Sequence, residues 1–596
     1  MCFKVIGEIL SFFRVTKRKK EVEMKRKKEL LVILSSLLVI VLSVSVAYFT
    51  TKILGTEKDI SVTSADLKVI FTSGSGTING TNIEPGWTSG ENTFTVKNES
   101  NGTYDYNIII KDLVNTFTTN GFLVYKITST DGGYNMTDFA DVPKSKTSKD
   151  TILAYNISID KDATHTYTVE YKYLESTEVD QSADMGKTLT GKIFITKGTE
   201  RPTLANQLLN DNPTINTRTD FSTPFTTNTA NTLYKATENG TDVYYFAGQD
   251  TESTSINNWV KFGKTNKNEC TYNGSTVLYF DGTSLSAIES ESQCLSGKIC
   301  KLGGSYGVGE AVTEDFCTSQ GAEWTNQNAK WGTSTYNLYW RIIRTNSDGG
   351  VRLLYHGTST TATDAYIGAS AFNTTSNSPK YVGYMYGDTD ATPEEARTNT
   401  KDSTIKAYID NWYANNMTSY TKYLSTTAVY CNDRELASGE TYSISSGFNY
   451  ASYTRLITNK TPTYDCTNNN DKFTKDASTG NGKLTYPIAL MTADEIAYAG
   501  GVADKNAPMW YYTNSSFESS TGALQWWSLS PYSRVGRYAR SWYVHGSGDP
   551  GYLVNYFVHV SDGVRPAVSL KTCVQWKSGN GTSETPYEIA ETSSGC

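Results

Sequence analysis

The sequence predicts a multi-domain, β-rich chain: an N-terminal transmembrane helix, an all-β sandwich, then an α+β domain. Three observations carry that prediction. The chain has 596 residues, too many for one hydrophobic core. Residues 30–49 hold no charged side chain and are dominated by Leu, Ile and Val. Residues 60–198 alternate apolar and polar side chains with the period of two that marks strands.

The N-terminus comes first. Residues 1–29 carry ten Lys and Arg against four Glu, a basic cytoplasmic tail. The apolar run behind it can span a hydrocarbon core of ~30 Å. The Lys25-Arg26-Lys27-Lys28 cluster holds the N-terminus inside, which leaves everything after Thr50 outside. Two readings of 30–49 stand side by side. A retained anchor gives a single-pass membrane protein. A signal sequence cut after Ala47, where Ser45-Val46-Ala47 offers small residues, gives a secreted one. In either case the membrane is the partner of this segment. The basic head is no nucleic-acid site, because the apolar run follows it directly.

Composition agrees with export. Charged residues make up only 19% of the chain, and Thr, Ser, Asn and Gly crowd the remaining positions, as in β-rich surface proteins. Apart from Cys2 the cysteines are Cys270, Cys294, Cys300, Cys317, Cys431, Cys466, Cys573 and Cys596. An even number outside a membrane predicts disulfides. Pairing of neighbours in sequence is the expectation: 270 with 294, 300 with 317, 431 with 466, 573 with 596. Unpaired buried thiols are the alternative. No CxxC occurs and the four histidines stand apart, so no zinc site and no cofactor is expected.

Residues 50–198 read as one sandwich. Leu67, Val69 and Phe71 share a face, as do Tyr104, Tyr106, Ile108 and Ile110, and Tyr167, Val169, Tyr171 and Tyr173. Ala47-Tyr48-Phe49-Thr50 is followed by SADLKV (64–69), EPGW (84–87) and TFTVKN (93–98). This pattern resembles the TasA/camelysin class of bacterial surface proteins. The resemblance implies an extracellular β fold.

Residues 199–240 are Thr- and Asn-rich with little periodicity and read as a linker. An α+β domain is expected over 241–572, with a Cys-bearing insertion at 264–333 and a C-terminal tail at 573–596. Leu338-Tyr339-Trp340-Arg341-Ile342-Ile343-Arg344 and Val351-Arg352-Leu353-Leu354-Tyr355 flank Asn346-Ser347-Asp348-Gly349-Gly350, a hairpin pattern. Ile405, Tyr408, Ile409 and Trp412 form a helical stripe after Ser403. Thr492-Ala493-Asp494-Glu495 is a capping box, and Gly500-Gly501 ends its helix. The set YWRIIR, LMTADEIAYAGG, WWSLSP and GVRPAVSL resembles an uncharacterised family of bacterial surface domains. Those domains are similar to the C-type-lectin-like fold shared with the formylglycine-generating enzyme. The resemblance implies a C-type-lectin-like domain and no particular activity.

Chemical motifs are sparse. No GxSxG elbow is present. The formylglycine-generating enzyme works through cysteines, and none lies between Cys466 and Cys573, so that activity is not carried over and no enzyme is expected. His165, His356, His545 and His559 read as structural or surface residues. EPN, QPD and WND, the calcium-lectin motifs, are absent. Gly387-Asp388-Thr389-Asp390 and the acidic residues of 470–476 offer oxygen ligands in no EF-hand spacing.

The segment 531–562, framed by WWSLSP and GVRPAVSL, is the candidate site. It reads as an irregular loop rich in the residues that form binding hot spots. Its candidate ligand contacts are Arg534, Arg537, Tyr538, Arg540, Trp542, Tyr543, His545, Asp549, Tyr552, Asn555, Tyr556 and His559. A competing reading makes Trp542, Val544, Val554, Tyr556 and Val558 strand residues that fill the core. The segment contains no Lys, Glu, Gln or Met, a bias that resembles retroelement-diversified lectin-like domains. The expected function is cell-surface binding or adhesion, with a protein or glycan ligand. A structural matrix or fibre subunit is the alternative, and an enzyme on the formylglycine-generating scaffold a third.

Overall fold

Strands outnumber helices throughout this computed structural model, and the chain divides into two units at Arg201/Pro202. The structure describes residues 50–596 apart from 54–59, 65–66, 74–77, 82, 120, 178, 252–254, 362–364, 513–524 and 547–548; for 50–82 it describes backbone only. The expected tail and apolar segment at 1–49 lie outside the described residues. Among those described, no helix is long and apolar enough to cross a membrane.

The first unit is built from two sheets. One runs in the order Ser145–Ile159, Tyr104–Asn115, Thr188–Lys197, Thr50–Ile53, Ile78–Thr81. The other runs Ile60–Ser64, Leu67–Ser73, Asn92–Asn98, Thr164–Tyr173, Leu123–Ser129, Ala140–Asp141. All these pairings are antiparallel except that of Thr50–Ile53 with Thr188–Lys197. Both sheets feed one apolar core. Tyr106, Ile108, Ile110, Ile193 and Ile195 come from the first; Phe94, Val96, Ile127, Tyr167 and Tyr171 come from the second. The period-two pattern therefore does what it predicts, putting one face of each strand in the core. His165 sits inside this unit, its Nδ1 2.9 Å from the Tyr106 hydroxyl.

The second unit opens with a correction. Residues 199–240 are not a linker. They hold a helix, Leu204–Asp211, capped by the Thr203 hydroxyl. Leu204 and Leu208 are buried in the main core. Strand Thr214–Thr217 then pairs with Thr232–Glu238. Arg218 is buried and donates to the carbonyls of Ala497 and Tyr498. An i, i+4 leucine pair is a helix signal that the surrounding Thr and Asn residues diluted.

A large curled sheet forms the body. Lys330–Thr345 pairs with Trp259–Tyr272 on one side and Val351–Gly357 on the other. Val351–Gly357 continues to Pro566–Leu570, which pairs in turn with Ile488–Leu490. The predicted hairpin closes with Thr345 opposite Val351 and Gly349 at φ +80°, a left-handed conformation that suits glycine. Residues 573–596 are also corrected: they are no tail. Strand Tyr587–Ile589 pairs in parallel with Trp259–Tyr272, and Tyr587 and Ile589 are buried.

Both predicted helices form. Thr404–Asn416 is capped by Ser403 and buries Ile405, Ile409 and Tyr413. Ala493–Tyr498 carries the full capping box: Glu495 N–H donates to Thr492 Oγ1 at 3.1 Å, and Thr492 N–H donates to Glu495 Oε2 at 3.0 Å. Replacing Thr492 with alanine is expected to cost about 1 kcal/mol of unfolding free energy, read from the urea midpoint. All four disulfides join neighbours in sequence as expected: Cys270–Cys294, Cys300–Cys317, Cys431–Cys466 and Cys573–Cys596.

Candidate functional site

The two framing motifs are scaffold. Trp526 and Trp527 are fully buried, and the Trp527 indole N–H donates to the Ser370 carbonyl at 3.0 Å. Every residue of Pro566–Leu570 is buried. Arg565 is buried with them, donates to the carbonyls of Tyr355 and Tyr511, and lies 5.0 Å from the Trp526 ring. Burial lowers its guanidinium to about 9, and Arg341 nearby adds to the effect.

The expected irregular loop between the motifs is a meander of three strands. Trp526–Val535 pairs with Tyr538–Val544, and Tyr538–Val544 pairs with Leu553–Phe557, both antiparallel. Gly536 takes a φ of +58° at the first turn. Register shifts on both sides of Pro531 interrupt the alternation, and Ser533 and Ser541 are buried. Polar residues inside and a bulge at a proline erase the strand period. Because Trp542, Val544, Leu553 and Val558 are fixed by packing, only the outward positions of this segment can vary freely.

Two candidate contacts belong to the scaffold instead. Trp542 is fully buried, with its indole N–H on Ser452 Oγ at 2.9 Å and Tyr532 edge-on at 4.6 Å. Arg534 is buried and ties down a loop by donating to the carbonyls of Ser443 and Ser446. Neither presents a side chain to a ligand.

The remaining candidates fall into two groups on opposite faces of the meander. The first is a cationic and aromatic strip. Arg537 lies 5.2 Å from the Tyr538 ring, and Arg540 lies 4.3 Å from the Phe557 ring while donating to Asn555 Oδ1 at 3.0 Å. His559 stands exposed beside Tyr538 and Phe557.

The second group surrounds Tyr543, which is itself only 4% exposed and packed in the main core. Its ring centroid is 5.6 Å from Tyr556, 5.8 Å from His545 and 6.0 Å from Trp527, and His545 lies 6.5 Å from Tyr552. Asp549 is exposed at the hairpin beyond them. Asp562, which the sequence placed in the segment without marking it as a contact, is only 3% exposed. Asp562 Oδ2, Ser541 Oγ and His545 Nδ1 are buried atoms with no hydrogen-bond partner. Burial pushes the Asp562 carboxyl up to about 6, with the His545 charge pulling the other way. Burial also raises Tyr543, helped by Asp562 and Tyr556.

A separate charged cleft lies against the Cys431–Cys466 disulfide. Glu495 Oε1 accepts from Arg344 Nε at 3.0 Å and Arg352 Nη1 at 2.7 Å, and Glu238 pairs with Arg344 at 2.8 Å. Arg455 bridges Asp433 at 2.6 Å and Asp494 at 2.9 Å. Each of these ions has its partner, so the cleft reads as a buried cross-link between strands and helix.

The acidic loops are engaged elsewhere. Asp388 accepts from Thr400 and pairs with Lys401, and Asp471 accepts from Arg434. Among the described residues no group of three or more His, Cys, Asp or Glu side chains could hold a metal ion. His356 is buried edge-on to Trp259 at 4.4 Å, and burial lowers its pKa well below the usual value, with Arg565 and Arg341 adding to it. No protein-family model matches this chain, and no curated protein matches it.

Proposed function

We propose that the chain is a cell-surface binding or adhesion protein. The apolar run at 30–49 meets the membrane, with the basic residues 1–29 inside. A β-sandwich follows as a stalk, and the second unit is a C-type-lectin-like head for a protein or glycan ligand. One observation carries the reading: polar aromatic and arginine side chains are mounted on a stiff meander whose own core is tryptophan. Rigid aromatic and arginine anchors lose little entropy when they bind. Four disulfides in the second unit support an oxidising exterior. They also leave none of those eight cysteines as a thiol for catalysis.

The test uses the full chain displayed on cells and probed against glycan and protein arrays. Single alanine replacements at Arg537, Tyr538 and Arg540 are expected to weaken the captured ligand about tenfold each, with folding unchanged. Undiminished binding by all three variants would overturn the assignment of this surface.

A further inference from the structure

We infer that the Tyr543 face of the meander binds an organic ammonium ion, held between tyrosine rings and the Asp562 carboxylate. The strand registers place these groups together. Gly563 is opposite Trp526, Trp526 opposite Val544, and Val544 opposite Leu553. One residue along each strand, Asp562, Gln525, His545 and Tyr552 form the next row on the other face. Trp527 and Tyr543 are opposite each other on that same face, and Tyr556 packs on Tyr543.

The chemistry of this row selects the ligand. Asp562 is buried, and its Oδ2 has no partner. A buried carboxylate without a partner is costly, and a bound cation offsets that cost. Around the buried Tyr543 ring, Tyr556 is 40% exposed and Tyr552 and His545 are half-buried, so these outer rings are open to a ligand. The faces of aromatic rings attract alkylated ammonium groups, and cages of this type recognise them. A hard metal ion is a poor fit, since it needs several oxygen ligands and the row offers one carboxylate. The charged and titratable groups around Asp562 are His545 and Tyr543, with Asp549 and Asp504 near Tyr552.

The proposal rests on a binding role for the meander but fails separately from it. Titration of the full chain with choline, followed by calorimetry, is expected to show saturable binding. Asp562→Asn and Tyr556→Ala should each weaken it by about tenfold or more, while replacing the exposed Lys483 with alanine, away from the meander, leaves it unchanged. The neutral isostere 3,3-dimethyl-1-butanol should bind much more weakly than choline. Capture of phosphatidylcholine vesicles that depends on Asp562 would identify a lipid headgroup as the source. Choline binding without vesicle capture would identify a free ammonium ligand. Absence of choline binding, equal binding of the neutral isostere, or binding indifferent to Asp562 would overturn the ammonium chemistry. In each of those cases, loss of array binding in the Arg537 and Arg540 variants would still leave the wider binding role standing.

Discussion

Replacing Glu495 with alanine is expected to destabilise the second unit by about 3–5 kcal/mol. One carboxylate serves two buried guanidiniums, Arg344 and Arg352, and also closes the capping box of Ala493–Tyr498. Its loss leaves both arginines undercompensated in the core and removes a helix cap. Burial alone would raise Glu495, but Arg352 and Arg344 together hold it below the ordinary carboxylate range. Burial likewise opposes the ionised form of Glu238, and Arg344, then Arg352, overcome it and bring Glu238 down to about 2. Carboxyls lowered on folding contribute stability above their unfolded pKa, near 4.5, and lose it as pH falls through the folded value. The urea midpoint should therefore fall as pH drops from about 4.5 toward 2, and the Glu495→Ala variant should show a shallower acid dependence. A variant as stable as the parent would remove the cluster from its structural role.

Replacing Asp562 with asparagine should do the opposite and stabilise the chain by about 2 kcal/mol at neutral pH. The sign follows from the direction of the shift. A carboxyl raised on folding is easier to bury when protonated, so its burden is absent below pH ~4, grows as pH rises toward about 6, and is full above that. The asparagine amide removes the charge but keeps a polar group without a partner, which trims the gain. Urea midpoints at pH 7.5 and pH 4 separate the two proteins: a clear difference at the first and almost none at the second. A gain in stability coupled to a loss of choline binding is the signature of a residue retained for its ligand. A destabilised variant would show instead that Asp562 supports the fold.

Much of the second unit can be read from sequence because local rules decide it. The 345–351 hairpin, the Ser403 and Thr492 caps and the four disulfides all involve partners close along the chain. The parts that escaped are decided by distant partners. Leu204 and Leu208 form a helix face only because a core elsewhere in the unit receives them. Ser533 and Ser541 look like surface residues yet are buried, so the meander resembles a loop. The candidate site divides in the same way. Tyr, Arg and His enrichment singled out the segment 531–562. Trp542 lies in the core, as the competing strand reading has it, and Arg534 is buried too. Asp562 could not be picked out, since an unpaired buried carboxylate is a property of its surroundings.

The seam between the two ends of the second unit has a consequence for biosynthesis. Leu204 N–H donates to the Val574 carbonyl, Trp576 N–H donates to the Pro202 carbonyl, and Tyr587–Ile589 lies beside Trp259–Tyr272. The first helix of the unit is thus sealed by residues translated long after it. A ribosome-bound intermediate lacking them has an open sheet edge and an uncovered leucine face, both prone to aggregation. Closure of this unit must wait until residues 574–589 have left the ribosome, so the first helix stays unsealed while the residues between are being made.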